Sequence, residues 1–114
     1  MSIASKLQLE DGETVRLVNA PGGLDLDVDS TSRGGDAVIV FVRNRAELER
    51  HAKVALDHAV EDRLTWIAYP KAGQLGTDLN RDILRKLLEG KGVRPVRQVA
   101  LDDTWSALRF RPDA

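Results

Sequence analysis

The chain has no cysteine. Disulfides, thiolate metal sites and cysteine nucleophiles are therefore excluded, and the cytoplasm is the simplest expected location. An excess of either charge is also missing, since 17 Lys and Arg stand against 18 Asp and Glu for a net charge of −1. Such a balance lacks the electrostatic footprint of a nucleic-acid binder, so no nucleic-acid partner is expected. No stretch approaches the ~20 apolar residues that span a bilayer. The opening MSIASKLQLEDGE has no apolar run that would serve as a signal peptide, and no membrane partner is expected.

Several motifs are absent too. The sequence contains no GxxxxGK[ST] phosphate loop, no GxGxxG, no GxSxG nucleophile elbow and no HExxH. The two histidines, His51 and His58, are seven residues apart in a predicted helix, which separates them by roughly 10 Å along its axis. That is too far to share one ion, so no metal site is read and both are placed on the surface flanking the apolar stripe. Gly22-Gly23 and Gly34-Gly35 suit turns better than phosphate cradles.

What remains is an ordinary globular composition, 42% hydrophobic and 31% charged over 114 residues, enough for one domain spanning 1–114. Ser5 to Leu9 suggests a short helical turn stopped by Asp11-Gly12. Thr14 to Asn19 reads as a first strand, closed by Ala20-Pro21-Gly22-Gly23. Leu24, Leu26 and Val28 alternate with Asp25, Asp27 and Asp29, which predicts an edge strand with an acidic outer face. Ser30 to Asp36 reads as a loop.

Ala37 to Val42 is a continuous, β-branched apolar run of the kind buried on both faces in a parallel sheet. A helix follows, with Asn44 as cap, Glu47 as a variant capping box, and a stripe of Leu48, Ala52, Ala55, Leu56 and Ala59. Leu64 to Tyr69 is a second central strand that Pro70 ends. Thr77 or Asp78 is expected to cap the next helix, whose stripe is Leu79, Ile83, Leu84, Leu87 and Leu88 and which Gly90 and Gly92 terminate. Val93 to Leu101 reads as a strand near an edge because of Pro95. Asp102-Asp103-Thr104 turns the chain into a final strand, Trp105 to Arg111, which the short connection makes antiparallel. All five aromatic residues fall in these strands. The expected fold is α/β, a mostly parallel sheet with flanking helices and a C-terminal antiparallel hairpin, in two or three layers.

Parallel strands of this order gather the loops after Asn19, Val42 and Tyr69 at one sheet edge. Asn44, Lys71, Gly76, Thr77, Asp78, Asn80 and Arg81 then meet near two helix N-termini, where free N–H groups and the dipole favour an anion. The competing reading makes Asn44 and Thr77 simple caps and leaves Lys71 and Arg81 solvated. Asp102 and Asp103 suit a general acid/base pair or a cation, against the plainer role of turn formers. Trp105 beside them suits stacking on a ring, against simple burial. Arg94, Arg97, Arg109 and Arg111 suggest a basic patch, offset by Asp102, Asp103 and Asp113.

The segments FVRNRAELER, LTWIAYPKAGQLGTDLNRDIL and VRPVRQVALDDTWSALRFR resemble an uncharacterised bacterial family of the DUF3052 type, a domain of unknown function. The resemblance runs from Thr14 onward and is most specific over Trp66–Asp82 and Asp102–Phe110, and it implies no established activity. The layout is also similar to a shortened, Rossmann-like class I methyltransferase fold. That fold implies a strand ending in an acidic residue and a GxG loop for S-adenosylmethionine, with an antiparallel hairpin closing the sheet. Here the first strand ends Val18-Asn19-Ala20-Pro21-Gly22-Gly23, without the acidic residue and with displaced glycines. Asp27 or Asp29 could meet a ribose, but alternation already accounts for them. The sequence thus assigns no cofactor. It favours a small non-enzymatic binding module for a small ligand or a protein partner. The alternative is a methyltransferase-like or other group-transfer domain using the 71–81 loop. An interaction protein, including a homodimer through an edge strand, is a third reading.

Overall fold

A computed structural model describes residues 3–22, 24, 26, 28, 30–31, 35–71 and 73–113. The elements are α1 (Ile3–Lys6), β1 (Val15–Val18), β2 (Ser30–Thr31), β3 (Ala37–Phe41), α2 (Arg45–Val60), β4 (Leu64–Pro70), α3 (Arg81–Leu88), β5 (Val93–Ala100) and β6 (Trp105–Pro112). They form one six-stranded sheet in the order β2-β1-β3-β4-β6-β5. The strands β2, β1, β3 and β4 run parallel, and β6 is antiparallel to both of its neighbours. The mixed, mostly parallel sheet with its C-terminal hairpin is as expected. As Pro95 implied, β5 is an edge strand, and the last strand lies between it and β4.

Burial follows the pleat. On one face Val38, Val40, Ile67, Tyr69, Leu108 and Phe110 pack beneath α2 and α3, which contribute Leu48, Ala55, Ala59, Leu84 and Leu88. On the other face Ile39, Phe41, Trp66, Ala68, Trp105 and Ala107 are covered by Leu7 and the flanking Ile3, Leu9, Leu24, Leu26 and Val28. The second cover is the four-residue α1 and irregular chain, so the third layer is thin. Its anchor is Leu7, whose carbonyl accepts from the Trp66 indole at 3.1 Å.

Three expectations are corrected. The N-terminal helical turn sits at Ile3–Lys6, slightly before the predicted position. Leu24, Leu26 and Val28 are not in a strand, although all three pack half-buried against the core, as their spacing required. The edge strand is instead Ser30–Thr31, read above as loop. Asp25, Asp27 and Asp29, with the proposed acidic face and ribose contact, lie outside the described residues. Gly35 follows at φ +92°, and a Cβ there would meet the Arg16 amide at 3.1 Å, so this close approach to β1 needs glycine.

Candidate functional site

The carboxyl ends of β1, β3, β4 and β5 and the start of β6 share one sheet edge. The residues picked from the sequence do gather along it, in separate groups. Asn44 caps α2 by accepting from the Glu47 amide at 2.9 Å. Asp78 serves the same helix from another loop: its Oδ1 accepts from the Arg45 amide at 2.9 Å, with Oδ2 4.0 Å from the Arg45 guanidinium. The start of α2 is thus supplied with a carboxylate by the chain itself.

The cap of α3 is Asn80, whose Oδ1 accepts from the Ile83 amide at 2.8 Å, and the expected Thr77 or Asp78 cap is corrected. Thr77 forms a local turn onto the Leu79 amide at 3.0 Å. Gly76 closes a single 3₁₀ turn, Gln74–Gly76, at φ 63°. The reason for the shift is which acceptor is free. Thr77 is extended too, but its hydroxyl is taken by the amide of the buried Leu79, which leaves Asn80 as the extended residue next to the helix with an acceptor for its first turn.

Lys71, Asn80 and Arg81 line a cavity of about 380 Å³ together with Tyr69, Gln98 and Ser106. The floor is the helix-side face of the sheet, where Tyr69 of β4 stands opposite Ser106 of β6. Tyr69 is 3% exposed, and among the described residues its hydroxyl has no hydrogen-bond partner. Burial pushes the phenol pKa up, with Asp82 adding to that and Arg81 opposing it, so Tyr69 is a neutral donor at ordinary pH. Two cations, two amides, a serine and an unmet phenol therefore face one hollow at a helix start.

Asp102 spends Oδ1 on the Thr104 and Trp105 amides at 2.8 and 2.7 Å, which is turn chemistry, and Asp103 is exposed. Trp105 is buried and meets Phe41 edge-on at 5.4 Å, while also bordering a shallow hollow of about 270 Å³ with Pro21, Leu24 and Leu75. Asn19 directly follows β1, where the methyltransferase resemblance implies an acid. Its amide donates to the Phe41 carbonyl at 2.8 Å and to Glu47 at 2.9 Å, so both its N–H groups are committed.

Sequence reasoning missed Tyr69, Gln98 and Ser106, and it missed Glu47 as a buried hub. One signal was available for Tyr69. A phenol closing an otherwise apolar strand, one residue before Pro70-Lys71, needs a partner for its hydroxyl. His58 is not on the flanking surface as expected; its Nδ1 lies 3.1 Å from the Thr65 hydroxyl. Among the described residues no three His, Asp or Glu side chains converge as a metal site requires. No described helix is long and apolar enough to cross a membrane. No family model, curated protein or solved structure matches the chain.

Proposed function

We propose that this chain is a small α/β binding module, of the DUF3052 type and shortened methyltransferase-like in layout, that takes a small anionic ligand in the Tyr69 cavity. The observation that carries this reading is the buried, unpartnered Tyr69 hydroxyl in a hollow flanked by Lys71 and Arg81. A buried donor left unmet costs free energy that a ligand acceptor would recover. An anion gains from both cations and from the start of α3.

The test is thermal unfolding against inorganic phosphate, sulfate, nucleotides, S-adenosylmethionine and S-adenosylhomocysteine. A ligand at 100 times its dissociation constant adds about 2.7 kcal/mol, which moves the midpoint by several degrees. The expected result is a shift with phosphate, sulfate or a nucleotide that Lys71→Ala abolishes and Tyr69→Phe weakens. A panel without any shift would overturn the reading.

A group-transfer enzyme using the same loop is the second reading. The antiparallel β6 beside the last parallel strands supports it, because the methyltransferase resemblance implies such a closing hairpin. Turnover dependent on Lys71 would replace the first reading by the second.

A further inference from the structure

The hairpin of β5 and β6 carries four arginines in two facing pairs. The register places Arg94 opposite Arg111 and Arg97 opposite Arg109. Phe110 lies in the helix-side core, so Arg109 and Arg111 project to the other face, and their partners on β5 go with them. A β-bulge between Pro95 and Arg97 leaves Val96 as the extra residue and brings Arg97 back to that face. The result is a two-by-two array of guanidinium stems, roughly 5 Å across the strands and about 7 Å along them.

Like charges directly opposite destabilise a sheet. Edge protection explains a cation on β5, which is an edge strand, but not on β6, which lies inside the sheet. Arg109 is half-buried beside the fully buried Trp66, its cross-strand neighbour on β4. Its Nε is buried without a hydrogen-bond partner among the described residues. Among the described residues one carboxylate answers the array: Asp62 pairs with Arg111 through two contacts of 3.2 Å. Arg109 also donates to the Gln8 side chain, while Arg94 and Arg97 have no ion pair or side-chain hydrogen bond among the described residues. The offset expected from Asp102 and Asp103 fails, because their turn joins the opposite end of the hairpin, and Asp113, exposed beside Arg111, makes no ion pair among the described residues.

We infer that this array is a second binding site, independent of the Tyr69 cavity, for a compact polyphosphate anion. Planar guanidinium forks match phosphoryl oxygens two at a time. The array spans only two positions on each strand, too short to track a polymer backbone. The net charge of −1 gives no long-range attraction toward a long polyanion. Pro95 and the bulge also disrupt the β5 edge as a template for an added peptide strand. A small ligand with several charges close together is what fits.

The test is calorimetric titration of the full chain with inorganic triphosphate at constant ionic strength. Binding is expected, weakened at least tenfold in the exposed-site double variant Arg94→Gln/Arg97→Gln and unchanged in Lys71→Ala. The unliganded double variant should unfold at the same temperature as the parent or higher, since repulsion is relieved. The inference fails if triphosphate gives no binding, or if the double variant binds as well as the parent. It also fails if a single-stranded oligonucleotide binds the same arginines more tightly than triphosphate, or if the unliganded double variant unfolds earlier. Loss of binding in Lys71→Ala with the double variant unaffected would move the anion to the Tyr69 cavity and overturn only this second site.

Discussion

His58 shows how one side chain can make stability depend on pH. The Thr65 hydroxyl donates to the Arg63 carbonyl at 2.9 Å, so it accepts from His58, which places the imidazole proton on Nδ1. The buried Nε2 then has no partner among the described residues, and a second proton there would be unmet. Burial, with the charges of Arg63 and Arg16, holds the imidazole pKa below its ordinary value, against an opposing pull from Glu61. Because the unfolded chain takes up this proton first, stability should fall as pH drops below about 6.5 and level off once the folded state is also protonated. Urea unfolding between pH 7.5 and 5 should show that slope, and His58→Asn should flatten it.

Glu47 behaves in the opposite electrostatic sense. Burial pushes its carboxyl up, but hydrogen bonds from the Arg43 side chain and amide and from Asn19, with the Arg43 charge, leave it below the usual range. Its contribution is therefore present above about pH 4.5 and is lost as pH falls further. Glu47→Gln places an amide N–H against the Arg43 donors and should cost about 1–3 kcal/mol in urea unfolding at pH 7. The sequence pointed to a capping box here. The carboxylate does reach back, but to the Arg43 amide at 3.0 Å, one residue before the cap.

At the scale of elements, the two helices start differently. The α3 cap is local, and Asn80→Ala should cost about 1 kcal/mol. The α2 start receives its second acceptor from Asp78, 33 positions along the chain. Asp78→Ala should therefore lower the urea midpoint by loosening the 71–80 loop as well as the helix, whereas Asp78→Asn retains an acceptor and should lose less. Equal losses for the two substitutions would assign the effect to charge alone. The helices themselves were legible from 3.6-residue periodicity, because Leu84 and Leu88 must turn inward together. Asp78 as a cap for α2 was not, because local spacing says nothing about which loop stands over which helix.

For the whole molecule, the asymmetry of the two sheet faces sets the weakest point. Two helices cover one face, but among the described residues the short α1 and the irregular chain around Leu7 close the other over Trp66 and Phe41. Leu7→Ala removes the centre of that cover and should cost about 2–5 kcal/mol, with tryptophan emission moving to longer wavelength as water reaches Trp66. An unchanged emission maximum would mean that the remaining residues close the gap.

The sequence alone determined what depends on neighbours along the chain. It specified the apolar central strands, both helical stripes, the hairpin forced by a three-residue turn, and the absence of thiol chemistry. It also named Lys71, Asn80 and Arg81, because loops after parallel strands share an edge whatever the strand order. Tertiary structure decided the rest. Strand order is set by packing between distant segments, and only the insertion of β6 beside β4 brings Ser106 and Gln98 to Tyr69. The β5–β6 register, with its bulge at Val96, sets arginine opposite arginine. The partners of β1, β3, β4 and β6 across the sheet are long-range contacts, and no local pattern of residues encodes them.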